Sequence, residues 1–146
     1  MTYYRHVRLL SRVRSADGCF AIDESKDPIR GDPVVQLTLT ITLPEGDAHY
    51  SAVCPTAFGA FQRIRRQIEP LGWRLHCYGA SLNVFPSRLY IDLSSGIRAY
   101  RMKMGIPAQL HDLVNIFDTG DDVILSTVAE QSAFYQSWLH SLHAAV

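Results

Sequence analysis

Apolar and polar residues alternate without a break across residues 34–43. Val35, Leu37, Leu39, Ile41 and Leu43 fall on one side, and Gln36, Thr38, Thr40 and Thr42 on the other. A period of two is the side-chain period of a strand, so the segment predicts one apolar and one polar sheet face. Pro33 and Pro44 bracket it, Glu45-Gly46-Asp47 supplies a turn, and residues 49–53 predict the return strand of a hairpin. Residues 5–14 also alternate, with Val7, Leu9 and Val13 opposing Arg8, Arg12 and Arg14, which predicts a strand with a basic exposed face. Ala16-Asp17-Gly18 predicts its turn, residues 19–22 its partner strand, and residues 23–33 a polar, mobile loop.

Helical spacing takes over at residues 56–69. Phe58, Phe61, Ile64 and Ile68 share a face there, Thr56 is placed to cap, and Arg63, Arg65 and Arg66 are expected to face water. Pro70 lacks the amide that would continue this helix. Alternation returns in Trp73, Leu75 and Cys77, then in Leu89, Ile91 and Leu93, then in Tyr100, Met102 and Met104. Gly79-Ala80 and Ser94-Ser95-Gly96 separate these runs, so the middle predicts a meander of short antiparallel strands. Residues 112–118 form a short apolar run, either strand or single helical turn. Thr127-Val128-Ala129-Glu130 reads as a capping box, and the stripe Phe134, Tyr135, Trp138, Leu139 and Leu142 predicts a packed helix over 127–143. The expected architecture is one α+β domain, a mostly antiparallel sheet with two helices (56–69 and 127–143) packed on it.

At 146 residues and 47% hydrophobic, the chain has the length and composition to bury a core. No apolar run has membrane-spanning length, and the first residues lack the apolar stretch of a signal peptide, which predicts residence in the cytosol. Cys19, Cys54 and Cys77 are odd in number and widely spaced, as reduced cysteines are. The formal net charge of zero conceals strong segregation. Residues 105–146 hold Asp112, Asp118, Asp121, Asp122 and Glu130 and neither lysine nor arginine; residues 73–104 hold Arg74, Arg88, Arg98, Arg101 and Lys103 against Asp92 alone. Such blocks either pair with one another in the fold or steer a charged partner.

Candidate chemistry is sparse. His140 and His143 sit three apart without a third ligand at telling spacing, so no metal is expected. No phosphate loop or nucleophile elbow occurs. An enzyme acting on RNA or a nucleotide would draw on His6, His49 or His76 with a basic residue such as Arg74, although their spacing selects none of them. An RNA-binding sheet would use Arg5, Arg8, Arg12 and Arg14, or Arg98, Arg101 and Lys103, with Tyr3, Tyr4 and Tyr100, but zero net charge weakens long-range attraction to phosphate. The densest feature is Asp118-Thr119-Gly120-Asp121-Asp122, three carboxylates around a flexible glycine. It fits no EF-hand spacing. It reads either as a solvated turn or as a phosphate mimic for the cleft of a cationic protein.

From residue 71 onward the chain resembles small bacterial immunity proteins of toxin systems, including those of contact-dependent growth inhibition. The resemblance is carried by Gly72-Trp73-Arg74-Leu75, Gly79-Ala80, Pro86-Ser87, Gly96-Ile97-Arg98-Ala99-Tyr100 and Gly105-Ile106-Pro107-Ala108. Leu113-Val114-Asn115-Ile116-Phe117-Asp118, Thr127-Val128-Ala129-Glu130-Gln131, Phe134, Trp138 and Leu139 continue it. The related pattern carries a methionine- and glycine-containing turn where this chain has residues 88–95. The resemblance implies a cytosolic protein without catalysis or cofactor that binds one cognate toxin domain, often a nuclease, and covers its active site. Contact with a cationic nuclease is then expected from Asp112, Asp118, Asp121, Asp122 and Glu130, with Asp23, Glu24 and Asp27 as a second acidic group. No membrane and no direct nucleic-acid contact is implied.

Overall fold

The alternating segment at residues 34–43 forms the third strand of a five-stranded antiparallel sheet in the computed structural model, which describes residues 2–144. The strands are β1 (Thr2–Leu10), β2 (Ser15–Lys26), β3 (Pro33–Thr42), β4 (Ala48–Cys54) and β5 (Arg74–Leu75), in spatial order β4-β3-β2-β1-β5. A three-stranded antiparallel sheet follows, β6 (Val84–Phe85), β7 (Arg98–Arg101) and β8 (Leu113–Asn115). The helices are α1 (Ala57–Ile68), α2 (Arg88–Ser94) and α3 (Val128–Ala144). The α+β class is as expected, with three α-helices in place of two.

Period-two patterning gives the large sheet two unlike faces. Val7, Leu9, Phe20, Ile22, Leu37, Leu39 and Ile41 point inward and are buried under Phe58, Phe61, Ile64 and Ile68 of α1. Phe20, Phe61 and Phe117 meet with ring centroids 5.3–5.8 Å apart, which joins both sheets and α1 in one core. The opposite face holds Tyr4, His6, Arg8, Asp17, Cys19, Thr40 and His49 and is open to solvent.

Several local expectations are corrected. The β1–β2 turn lies at residues 11–14, where the Ser11 hydroxyl accepts the amides of Val13 and Arg14. Ala16, Asp17 and Gly18 are already in β2; a Cβ on Gly18 would stand 2.7 Å from Leu9 Cδ1, so this glycine serves close packing. Of the predicted basic strand face only Arg8 remains, because Arg12 and Arg14 fall in the turn. The expected loop at 23–33 shrinks to residues 27–32, a turn organised by the Asp27 carboxylate, which accepts the amides of Ile29 and Arg30 at 2.8 and 2.9 Å.

Residues 88–94 are helix α2 where a strand was expected. Ser87 caps it by accepting the Tyr90 amide, the Ser94 hydroxyl donates to Tyr90 O, and Ser95 ends it at φ 59°. Leu89 and Leu93, whose alternation suggested a strand, are exposed on the helix surface. The neighbouring predicted strands are also shorter, with Arg74–Leu75 all that remains of the Trp73 run and Arg98–Arg101 all that remains before Met104.

A further correction is Arg65. It faces the interior with its side chain 2% exposed, while Arg63 and Arg66 face water. Its guanidinium donates to Gln131 Oε1, to Ser126 O at 3.0 Å and to Gly79 O at 3.3 Å, with Glu69 Oε1 at 3.9 Å from Nε. Gln131 in turn donates to the carbonyls of Gly79, Ser81 and Val84 at 2.9, 3.0 and 2.7 Å. Burial pulls the Arg65 pKa down to about 10, with the Glu69 charge opposing. This polar knot ties α1 to α3 and to residues 79–84.

Both predicted helix caps are formed. Thr56 accepts the Gly59 amide, and a 3-10 turn over Glu69–Leu71 follows α1 before Gly72 stops it at φ 92°. The Thr127–Glu130 capping box is formed at 2.9 and 3.1 Å, and Glu69 adds a bond to the Val128 amide at 2.7 Å. Tyr135 stacks on Phe85 at 4.2 Å, so that aromatic is part of the packing. Among the described residues no helix is long and apolar enough to cross a membrane.

Candidate functional site

The acidic loop after β8 is fastened at each of its first three residues. Asp118 O accepts the Tyr78 amide at 2.8 Å, and the Asp118 carboxylate forms an ion pair with Arg5. The Thr119 hydroxyl lies 2.7 Å from His76 Nδ1. Gly120 runs so close to Tyr78 that a Cβ would stand 2.2 Å from the phenol oxygen. The glycine expected to lend flexibility therefore permits a tight approach.

Asp122 completes the fastening from the other side. Its Oδ1 accepts the Tyr78 hydroxyl at 2.7 Å, and its Oδ2 lies 3.2 Å from Arg101 Nη1. The Arg101 guanidinium also donates to His111 O at 3.1 Å and lies 5.9 Å from the Tyr78 ring centroid. The Tyr78 hydrogen bond, with Arg101 assisting, holds the Asp122 carboxyl below its ordinary pKa. A depressed carboxyl pKa stabilises the fold above the unfolded Asp value, and this is lost as pH falls through the folded value. Tyr78→Phe is expected to move the Asp122 pKa upward toward the ordinary range, read by NMR titration of its carboxyl carbon; an unmoved pKa would show that the phenol is not the main cause.

Asp112, Asp121 and Asp122 share one groove with Asn83, Arg101, Lys103, His111, Val123 and Ile124, of about 600 Å³. Arg101, Lys103, His111 and Asp112 also line an adjoining recess that reaches Ile106, Pro107 and Gln109. The two form a continuous surface of mixed charge with an exposed isoleucine toward either end, Ile106 at 52% and Ile124 at 48%. Asp112 has a structural duty too, because its carboxylate accepts the Gln109 amide at 3.0 Å. No hydrogen-bonding or ionic partner for Asp121 occurs among the described residues, which makes its charge the one most available to a partner.

The other expected contact residues lie elsewhere. Asp118 is turned toward Arg5, away from the groove, and Glu130 is occupied in the α3 capping box. Asp23 and Glu24 sit near the far end of β2, where Glu24 shares a cleft with Tyr3, Asp92 and Arg98; Asp27 holds its turn. The eight acids therefore do not form one surface.

Charge blocks pair across long separations, as Arg14–Glu45 at 2.8 Å, Arg101–Asp122 and Arg5–Asp118 show. The histidines divide as well. His6 and His76 line one cleft with Arg8, and His49 lies 3.1 Å from Thr40 on another part of the sheet. His140 and His143 lie on α3, and no cluster of three or more metal-ligating side chains occurs among the described residues. Burial pushes the Cys77 thiol up to about 12, so that sulfur is a packing group. No protein-family model matches the chain, and no curated protein matches it at a significant level.

Proposed function

We propose that the chain is an immunity protein that acts in the cytoplasm, binding a cognate bacterial toxin domain and neutralising it by covering its active site. The observation that carries this reading is the continuous groove built around Arg101, Asp112, Asp121 and Asp122. It combines what a protein interface requires, exposed apolar anchors beside oriented charges on a rigid base. Ile106 and Ile124 supply the anchors, and the Tyr78–Asp122–Arg101 contacts preset the geometry. The resemblance of residues 71–143 to immunity proteins points the same way. A nuclease is the favoured target, because a cleft that binds nucleic acid is cationic and Asp121 presents an unneutralised carboxylate to it.

The test is co-expression with the toxin domain encoded directly upstream of the chain's own gene. Restored growth and a one-to-one complex on size exclusion are expected. Continued growth arrest with the chain folded and abundant would overturn the reading.

A further inference from the structure

A second cluster of chemically capable side chains lies outside the acidic groove, on the uncovered face of the large sheet. Tyr4, His6 and Arg8 are alternate residues of β1 and project to that face. The His76 amide donates to Arg8 O at 2.8 Å, continuing the β1–β5 pairing by one step beyond Leu9 and Leu75. His76 is thereby opposite Arg8 and diagonal to His6. Diagonal neighbours on a sheet face stand about 7–8 Å apart, a gap that one phosphodiester fills. His6, Arg8, His76, Phe117, Thr119 and Asp121 line the resulting cleft of about 300 Å³.

Each imidazole is oriented by a protein group. Asp17 Oδ1 lies 3.4 Å from His6 Nε2, and Thr119 Oγ1 lies 2.7 Å from His76 Nδ1. That leaves His6 Nδ1 and His76 Nε2 without a protein partner among the described residues. The Arg8 guanidinium donates to Ser15 Oγ at 3.0 Å, with Asp17 at 3.9 Å. Tyr4, 68% exposed in the same row, offers a ring on which a base can stack.

We propose that this cleft cleaves single-stranded RNA by metal-independent transphosphorylation. His6 Nδ1 takes the proton of a 2′-hydroxyl, and the 2′-oxygen bonds to the adjacent phosphorus. The bond from phosphorus to the 5′-oxygen breaks, and protonated His76 Nε2 gives its proton to that leaving oxygen. The products are a 2′,3′-cyclic phosphate and a free 5′-hydroxyl; the two imidazoles exchange protonation states and are reset by proton exchange with water. Arg8 stabilises the charge on the non-bridging oxygens. Asp17 and Thr119 are positioning residues, acting through His6 and His76. The charged and titratable groups facing the pair are Arg8 on β1, Asp17 and Cys19 on β2, and Asp121 on the loop, with Arg5 and Asp118 paired beside it. The cleft meets the acidic groove at Asp121 and shares no other residue with it, and RNA cleavage is read separately from toxin binding.

The experiment uses the full chain with the dinucleotide uridylyl-3′,5′-adenosine in the presence of EDTA. Cleavage to cyclic uridine phosphate and adenosine is expected, with a bell-shaped pH profile and no cleavage of the 2′-deoxy analogue. His6→Asn and His76→Asn should each lower kcat/KM by about 100-fold or more, the usual range for loss of a general acid or base. His49→Asn, on the same face outside the cleft, should leave it unchanged. Asp17→Asn should lower kcat with KM nearly unchanged, because the carboxylate 3.4 Å from His6 Nε2 orients that ring rather than binding the substrate. All variants are compared at equal thermal stability, and Gln replaces Asn where a variant fails to fold. Wild-type cleavage no faster than that of the His6→Asn/His76→Asn double variant, cleavage surviving both changes, or cleavage abolished by EDTA would overturn the proposal.

Discussion

Gln131→Leu is expected to destabilise the fold by about 3 kcal/mol, more than a surface glutamine would lose. The reason lies in what it strands. Arg65 stays charged in a site where its side chain is 2% exposed, and it loses its hydrogen bond to Gln131 Oε1. The carbonyls of Gly79, Ser81 and Val84 lose the donor they share. Leucine is close to glutamine in volume, so packing changes little and the cost is that of unmet polar groups. At this chain length 3 kcal/mol corresponds to a fall in Tm of roughly 10 °C. Arg65→Met tests the same knot from the other side, because it removes the buried charge altogether. The double variant should cost less than the sum of the two single changes, as members of one network do. Urea unfolding of the four proteins measures this. A loss within about 1 kcal/mol for Gln131→Leu would show that Arg65 is already satisfied by Ser126, Gly79 and Glu69.

Arg65 also shows what the sequence leaves legible. Positions 58, 61, 64 and 68 announce a buried helix face because four apolar side chains repeat at helical spacing. Arg65 lies four residues after Phe61, within that face, and Gln131 lies four before Tyr135 in the stripe of α3. Two polar residues intruding on two apolar stripes were the available signal of a buried pair. The long strands are legible for a related reason, since one face is buried and the other wet, and the pattern records the difference. Helix α2 is not, because seven residues with Leu89 and Leu93 exposed carry no amphipathic record. Ser87 and Ser95 specify its two ends, and end signals are weaker than periodicity.

The candidate sites are less legible than the fold. Charge is visible in sequence, but its partners are tertiary. Asp118 meets Arg5 across 113 positions, and His6 reaches His76 only through the β1–β5 pairing. The five acids of the C-terminal segment read as one acidic feature, and the fold divides them among an ion pair with Arg5, a 3-10 turn, a helix cap and the groove.

Reversal of Asp118, Asp121 and Asp122 to lysine is expected to weaken binding to a cationic toxin domain by about 100-fold and to abolish its salt dependence. The three positions contribute unequally. Asp118 and Asp122 are already half-neutralised by Arg5 and Arg101, so their outward field is small. Asp121 projects an uncompensated charge into the groove. Asp121→Lys alone should therefore account for most of the slowed association while leaving dissociation nearly unchanged, the signature of a steering residue. Ile124→Ser should show the converse, faster dissociation at unchanged association, because an apolar anchor acts after the encounter. Reversal at Asp118 and Asp122 also places like charges beside Arg5 and Arg101, so the triple variant's thermal unfolding must be measured with its binding. A folded triple variant with unchanged affinity would remove the acidic loop from the interface. The neutralisation reading would then rest on Ile106, Ile124 and the rest of the groove, since shape and apolar burial at those residues do not depend on the sign of the loop's charge.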